Sequence, residues 1–256
     1  MDDSEIIIDE LNKSIVNLYK LIIEENGYDL GITENDITYR NYLVDNPLHV
    51  IKDAIYDDNS YLGAYASNID FSQYKGETIS LDDLSKIFKN GNKNYMGAAL
   101  SALDKYGDKV GLTKQGKLLI LAQFAHESGG FKFIKEIGNG KGRKYGLPSG
   151  PYGKIYYGRG PIQITWEENY KKITQTYFPK MGINTDIHKN PELCELNLEI
   201  GCAASLAWFM MPGNGQRAIK CANSGDIVGL TKAINGGTNG LAERQKYTQM
   251  ILQYAR

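Results

Sequence analysis

Cysteine, histidine and long apolar runs are all scarce in this chain of 256 residues, which contains three cysteines and three histidines. Cys194, Cys202 and Cys221 form no CxxC pair and no cluster with histidine. We therefore predict neither a metal site nor a disulfide framework, and interpret the three as small core residues. The longest nearly apolar stretch, residues 203–211, is about half as long as a bilayer span requires, so no membrane insertion is expected.

Two further absences limit the classes of function. The N-terminus carries Asp2, Asp3 and Glu5 where a secretory leader would be positively charged, so we expect the protein to remain in the cytoplasm until another factor releases it. The chain has no G-x-G-x-x-G or Walker pattern, and its basic residues are scattered rather than striped. Neither a nucleotide cofactor nor a nucleic-acid partner is predicted, and no other cofactor is implied.

Opposite charges divide the chain into two regions. Residues 1–78 contain 16 acidic and 5 basic residues, a net charge of −11, whereas the remainder carries +10. A helix-start signal at Ser80–Asp83 follows directly, so we place a domain boundary between residues 78 and 79. In the acidic region, apolar spacing predicts a helix over residues 4–25. This smaller, mainly helical region is expected to be an extension, an oligomerisation segment or a wall-binding module.

The larger region, residues 79–256, has the hydrophobic periodicity of a mostly α domain. Glycine-rich loops over 138–160 and 235–240 interrupt the helical patterns, and no series of alternating strands is present. Helices are predicted over residues 94–106, 114–127, 166–178, 196–211, 226–234 and 241–255.

Glu127 lies at the end of a helical pattern that is apolar nearly all round, which is typical of a buried helix. Apolar surroundings and the negative helix C-terminus would both raise the pKa of this carboxyl group, as a general acid requires. A solvent-facing glutamate at a helix end is the alternative. Glu136 follows after a glycine pair, so the two acids would face each other across a turn, as in glycosidic hydrolysis.

Two polar loops could supply contacts to a sugar. The segment Tyr156–Trp166 combines aromatic rings with an arginine, a glutamine and a threonine, and the loop 234–240 precedes a helix that carries Arg244. Stacking faces and hydrogen-bond donors are what sugars require, although both loops could also be ordinary turns.

These motifs together resemble glycoside hydrolase family 19, which comprises chitinases and related phage endolysins. The resemblance covers roughly residues 80–256 and rests on four segments in the family's order: residues 125–131, 156–166, 207–209 and 235–244. It implies a mostly α, lysozyme-like catalytic domain. It also implies inverting cleavage of a β-1,4 bond next to N-acetylglucosamine or N-acetylmuramic acid.

The resemblance also implies roles for individual residues. Glu127 matches the general acid, Glu136 the general base, and Thr165 a residue that helps to hold the attacking water. The implied substrate contacts are Gln163, Asn169 and Asn235 as sugar-binding residues, Arg244 near the second acid, Tyr156 and Tyr157 in the aromatic wall of the cleft, and His126 as an orienting residue. Glu167 and Glu168 depart from the usual chitinase pattern.

Three functions fit this pattern. The first is an endolysin that cleaves peptidoglycan glycan strands for host lysis, accumulates in the host cytoplasm and needs a separate pore-forming protein for its release. The second is a chitinase that acts on N-acetylglucosamine polymers. The third is a wall-binding module that has lost activity, against which the joint presence of Glu127, Glu136 and Thr165 argues.

Overall fold

The computed structural model describes Phe71 and residues 74–256. The chain divides into two compact units, Met1–Ser67 and Asn68–Arg256. The boundary after residue 78 stays a prediction. Backbone hydrogen bonds join Glu77 and Thr78 to Arg256, which places these two residues with the second unit. The helix predicted over residues 4–25 and the role of residues 1–78 lie outside the described residues.

The described part of the chain is mostly helical, as predicted. Its only β structure is a few isolated bridges between residues 135 and 164. A π-helical turn, Ile173–Tyr177, joins the fourth and fifth helices. None of the described helices is both long and apolar enough to cross a membrane. The helices are α1 (Leu81–Ile87), α2 (Lys93–Tyr106), α3 (Lys114–Glu127), α4 (Glu167–Lys172), α5 (Phe178–Met181), α6 (Leu193–Leu196), α7 (Leu198–Phe209), α8 (Asn214–Ser224), α9 (Ile227–Asn235) and α10 (Leu241–Tyr254).

Helix α3 forms the centre of the core. The hydroxyl oxygen of Thr113 accepts a hydrogen bond from Gly116 N at 3.0 Å and caps the start of the helix. Every residue from Leu118 to Ala125 is buried, because α2, α8 and α10 pack around this helix. The prediction of a buried helix that ends at Glu127 is therefore confirmed, and the surrounding packing fixes the position of that carboxylate.

Helix α8 was not predicted. Its buried stripe consists of small residues, among them Gly215, Ala218 and Ala222, and the helix is polar overall although its apolar residues recur at helical spacing. Small side chains are required here because a Cβ atom at Gly215 would lie 2.4 Å from the carbonyl oxygen of Trp208 in α7. Close approach of the two backbones thus takes the place of packing between large apolar side chains at this contact.

The three cysteines are buried free thiols, which confirms their prediction as core residues. Burial raises the pKa of Cys194 to about 12. Since the thiolate is the reactive form, this thiol is chemically quiet at neutral pH.

Candidate active site

The chain reverses direction immediately after Glu127. Ser128 ends α3, and its hydroxyl donates to Phe124 O at 2.6 Å while accepting from Phe131 N at 3.0 Å. The next three residues, two glycines and Phe131, all have positive φ angles, and Phe131 is fully buried. This tight, anchored turn leads the chain from the first acid towards the second.

Arg244 holds the carboxylate of Glu127. The arginine is 1% exposed, and its Nη2 donates to Glu127 Oε1 while its Nη1 donates to Gln123 Oε1. The surroundings of Glu127 are therefore charged, which corrects the expectation of a purely apolar environment. The resemblance had also implied an arginine near the second acid, whereas Arg244 contacts the first. A charge-assisted bond of this kind stabilises and orients the carboxylate anion.

His126 is directed towards α10 rather than towards the Glu127 carboxylate. Its Nδ1 lies 2.7 Å from Glu243 Oε2, and its ring is so close to Gly240 that a Cβ atom there would lie 2.3 Å away. Burial, followed by the positive charge of Arg244, lowers the pKa of His126 against the opposing influence of the two neighbouring carboxylates. The neutral ring is thus favoured, in a position that braces the helix carrying Arg244.

A short antiparallel pairing positions Glu136. Its backbone N–H donates to Gly158 O at 2.9 Å, and Gly160 N donates to Ile134 O at 2.8 Å. A Cβ atom at position 158 would lie 2.9 Å from Glu136 Oε2 and 2.8 Å from Gln163 Oε1. The missing side chain at Gly158 therefore leaves room for these two side chains on the same wall.

Thr165 lies between two residues in strained backbone conformations. Gln163 has a φ of +55° and Trp166 a φ of +69°, and such conformations cost about 1–3 kcal/mol each for residues other than glycine. The side-chain amide of Asn169 donates to Thr165 O at 2.8 Å and ties this loop to α4. Asn169 and Thr165 are thus brought together with Gln163, and strain of this kind is concentrated at functional sites.

Tyr156 and Tyr157 do not form the wall of a cleft, which corrects the sequence expectation. Tyr156 is fully buried, and its hydroxyl donates to His188 O at 2.7 Å. Tyr157 is 9% exposed, and the guanidinium of Arg159 covers its ring at 3.5 Å from the centroid. Neither ring offers a free face to a sugar, so both stabilise the loop from within.

A cluster of ion pairs around the buried Arg159 supports the same loop, and the sequence did not predict it. Arg159 is 4% exposed and donates through Nε to Glu195 Oε1 at 2.5 Å. Lys135 lies 2.8 Å from the other oxygen of Glu195, and the hydroxyl of Tyr157 also donates to this carboxylate. Although burial opposes the effect, these three donors lower the pKa of Glu195. Glu195 lies far along the chain, so no local pattern could have revealed the pairing.

The exposed aromatic surface near Glu136 comes from other residues. Trp166 is 49% exposed, and its ring meets that of Tyr145 edge to face with a centroid distance of 5.4 Å. Burial, and next the charge of Glu136, raise the pKa of Tyr145, whose hydroxyl lies beside that carboxylate. Trp166 lies in the same motif as Tyr156 and Tyr157, and the local sequence does not indicate which of these aromatic rings is exposed.

Asn235 is the last residue of α9 and is exposed to solvent. Its side-chain amide donates to Asn239 O at 3.5 Å, a contact within its own loop. The structure thus places Asn235 at the surface and joins it to none of the other predicted site residues through a hydrogen bond.

The predicted residues form two groups. Glu127, Arg244 and His126 lie where α3 meets α10, whereas Glu136 shares a wall with Gln163, in the loop that holds Thr165. Among residues 74–256, no hydrogen bond or ion pair joins the two acids, and no three His, Cys, Asp or Glu side chains are grouped to hold a metal ion. A helical domain with two carboxylates held by separate elements has the general form of a glycoside hydrolase site.

Comparison with known proteins agrees with this class. Residues 113–232 match the family model of glycoside hydrolase family 19, described as chitinase class I. The match covers somewhat less than half of the chain and shows that this part is similar to family 19, the family that the motifs resemble.

Individual relatives extend over different parts of the chain. An endochitinase of Arabidopsis thaliana is 45% identical over 145 residues, which cover 55% of this chain and 46% of that protein. A glycosyl hydrolase family 19 domain-containing protein of Haemophilus influenzae is 26% identical over 209 residues, covering 68% of this chain and 96% of the relative. The crystal structure of chitinase C from Streptomyces griseus aligns at 27% identity with a TM-score of 0.49, covering 71% of this chain and 97% of that one. Against several of the plant endochitinases, the chain spans a quarter to a half of their length.

Proposed function

We propose that the region 79–256 hydrolyses β-1,4 bonds in polymers of N-acetylglucosamine, as a chitinase does. The family match and the plant endochitinases similar to this chain support the proposal. The observation that carries it is the contact of Glu127 with the buried Arg244, together with a second carboxylate, Glu136, held on a separate wall. On the sequence alone, a chitinase comes second, after an endolysin that cleaves peptidoglycan.

Glu127 is the general acid in this mechanism. Arg244 occupies one of its two carboxyl oxygens, which leaves the other free to deliver a proton to the glycosidic oxygen. The carboxylate that results from proton transfer is stabilised at once by the guanidinium, which is already in place and needs no reorganisation. Arg244 thus both aims the acid and stabilises the charge that develops on it.

Glu136 is the general base. On the opposite face of the sugar it activates a water molecule, which Thr165 helps to hold, for direct displacement at the anomeric carbon. Gln163 shares the wall with Glu136, so its amide can bind the same sugar unit. The bond to the leaving oxygen breaks as the bond to water forms, and the anomeric configuration inverts without a covalent intermediate.

The direct test is the release of reducing ends from colloidal chitin by the full-length protein and by Glu127→Gln and Glu136→Gln. Asp104→Asn is a matched charge-removing control, because Asp104 is an exposed residue of α2. We expect both glutamate variants to lose almost all activity while the control keeps it, and the first product observed by NMR to have the inverted configuration. Retention of configuration would exclude Glu136 as the base.

Charge near the second acid favours a second candidate, hydrolysis of peptidoglycan. Residues 137–166 contain no acidic residue, and Lys141, Arg143 and Lys144 are exposed in the loop that packs beside Glu136. N-acetylmuramic acid carries a carboxylate that chitin lacks, and an unpaired basic loop would attract it. The protein would then act as an endolysin, released from the host cytoplasm through a separate pore-forming protein.

Comparing substrates separates the two candidates. The protein is assayed on purified peptidoglycan and on colloidal chitin, together with a variant in which Lys141, Arg143 and Lys144 are changed to serine. If peptidoglycan is the substrate, this variant loses activity on peptidoglycan selectively, and salt weakens the action of the unmodified protein. Activity on chitin alone, unaffected by the variant, would exclude the endolysin.

A further inference from the structure

Trp166 is held rigidly at the surface next to Thr165. Its backbone N–H donates to Tyr156 O at 2.9 Å, and its carbonyl oxygen accepts from Asn169 N at 3.1 Å. The φ angle of +69° is one that bulky side chains rarely adopt. The backbone is therefore fixed on both sides, yet the residue remains 49% exposed to solvent.

The start of α4 does not explain the choice of tryptophan. Trp166 is the N-cap residue of this helix, a position where Ser, Thr, Asp or Asn would normally bond to a free backbone N–H. Its side chain provides no such bond. The backbone here is strained, the helix lacks a stabilising cap, and a large apolar ring is exposed. The folding of α4 therefore does not account for a tryptophan at this position.

Tyr145 joins the indole to the second acid. The two rings are inclined at 73° with centroids 5.4 Å apart, so they form a corner rather than a stack. The hydroxyl of Tyr145 lies beside the Glu136 carboxylate, which helps to raise the pKa of this tyrosine. Tyr145 therefore links the exposed Trp166 to the wall on which Glu136 lies.

We propose that Trp166, supported by Tyr145, is a stacking platform for one pyranose ring of the glycan on the Glu136 side of the site. A β-1,4-linked pyranose has C–H bonds on its ring faces, and these pack against the electron-rich face of an indole. The inference rests on the proposed function, since it assigns a binding position for the same glycan. It replaces the aromatic wall that Tyr156 and Tyr157 were expected to form.

Fluorescence offers a direct test because the chain contains only two tryptophans, Trp166 and Trp208. In a Trp208→Phe background, Trp166 is the only indole, and we expect its emission to change saturably as N-acetylglucosamine oligomers are added. In a Glu127→Gln background, which prevents turnover, Trp166→Ala should weaken oligomer binding by about tenfold, the loss of one aromatic contact. Trp166→Phe retains an aromatic face and should recover part of that loss.

Kinetics and stability distinguish binding from a structural role. For Trp166→Ala in the otherwise unchanged protein we expect KM to rise more than kcat falls, because the ring binds substrate and transition state alike. If Trp166→Ala melts at a lower temperature, the KM of Trp166→Phe is compared instead, because phenylalanine retains most of the packing of the ring.

Two results would overturn the platform. One is an unchanged emission of Trp166 at oligomer concentrations that saturate calorimetric binding, and the other is an unchanged KM in both Trp166 variants. A protein that hydrolyses neither chitin nor peptidoglycan would refute the proposed function instead. The fluorescence titration would still show whether Trp166 contacts a sugar in that case, because it measures binding and not hydrolysis.

Discussion

Arg244 and Glu127 are 117 positions apart in the chain, yet the guanidinium of one donates to the carboxylate of the other. The contact fixes the relative position of α3 and α10 and orients the acid at their junction. It also supplies a charge that local sequence around Glu127 does not contain. The electrostatics of the candidate acid are therefore a property of the packing of two helices.

Removing Arg244 should affect both stability and activity. Arg244→Ala leaves the buried Gln123 oxygen and the Glu127 carboxylate without their donor, which should lower the free energy of unfolding by about 2–3 kcal/mol. Arg244→Lys keeps the charge but cannot bond to both partners as the planar guanidinium does, so it should restore stability more than turnover. Urea unfolding and chitin hydrolysis provide the two measurements. Equal recovery of both by lysine would show that only the charge matters.

Stability should fall in mildly acidic solution because of His126. Its pKa is lowered in the folded protein, mainly by burial, so the unfolded chain binds a proton at a higher pH than the folded one. The contribution of the neutral ring to the free energy of unfolding is therefore complete above about pH 7. It is lost as the pH falls through the folded pKa, which lies below the ordinary histidine value of about 6.5. Melting temperatures recorded across this range should decline less in His126→Gln.

Glu243 sets the lower end of this pH window. Its charge favours the protonated ring, so Glu243→Gln should lower the pKa of His126 further and extend the loss of stability to lower pH. A pH profile for Glu243→Gln that matches the unmodified protein would rule out the pair as the origin of the effect.

A methyl group at position 158 should impair catalysis more than folding. In Gly158→Ala the new Cβ atom meets the ends of two flexible side chains, Gln163 and Glu136, which can move at little cost in stability. Displacing the base should lower kcat by about tenfold or more, since catalytic geometry tolerates only small shifts. Gly97→Ala in α2 is the matched control, because its Cβ atom would make an ordinary 3.6 Å contact. An unchanged kcat would argue against Glu136 as the base.

Glu195 should matter for folding rather than for chemistry. Glu195→Gln removes the charge that neutralises the buried Arg159, and we expect the unfolding free energy to fall by about 2–3 kcal/mol. Because hydrogen bonds lower the folded pKa of Glu195 against the effect of burial, its contribution is present above the ordinary carboxyl range and is lost as the pH falls through the folded pKa. Melting curves at acidic and neutral pH should therefore converge for the variant and the unmodified protein as the pH falls. A difference that persists at low pH would show that packing, not charge, is responsible.

Local periodicity was sufficient to predict most of the helices. The expected ranges 94–106 and 114–127 correspond to Lys93–Tyr106 and Lys114–Glu127, because helix formation and amphipathic burial both depend on neighbours a few positions away. Helix α8 was not predicted because it is polar overall and its contact stripe is made of small residues, although these recur at helical spacing.

The sequence by itself determined the helical class and the resemblance to family 19, and it predicted the two acids, since all of these depend on motifs and on short-range periodicity. Only the tertiary structure decided which charges surround the acids and which aromatic rings remain exposed. Tyr156 and Trp166 belong to one motif and differ little in chemistry, yet one is fully buried and the other is half exposed. Burial depends on what other segments bring against a side chain, and those segments lie far away along the chain.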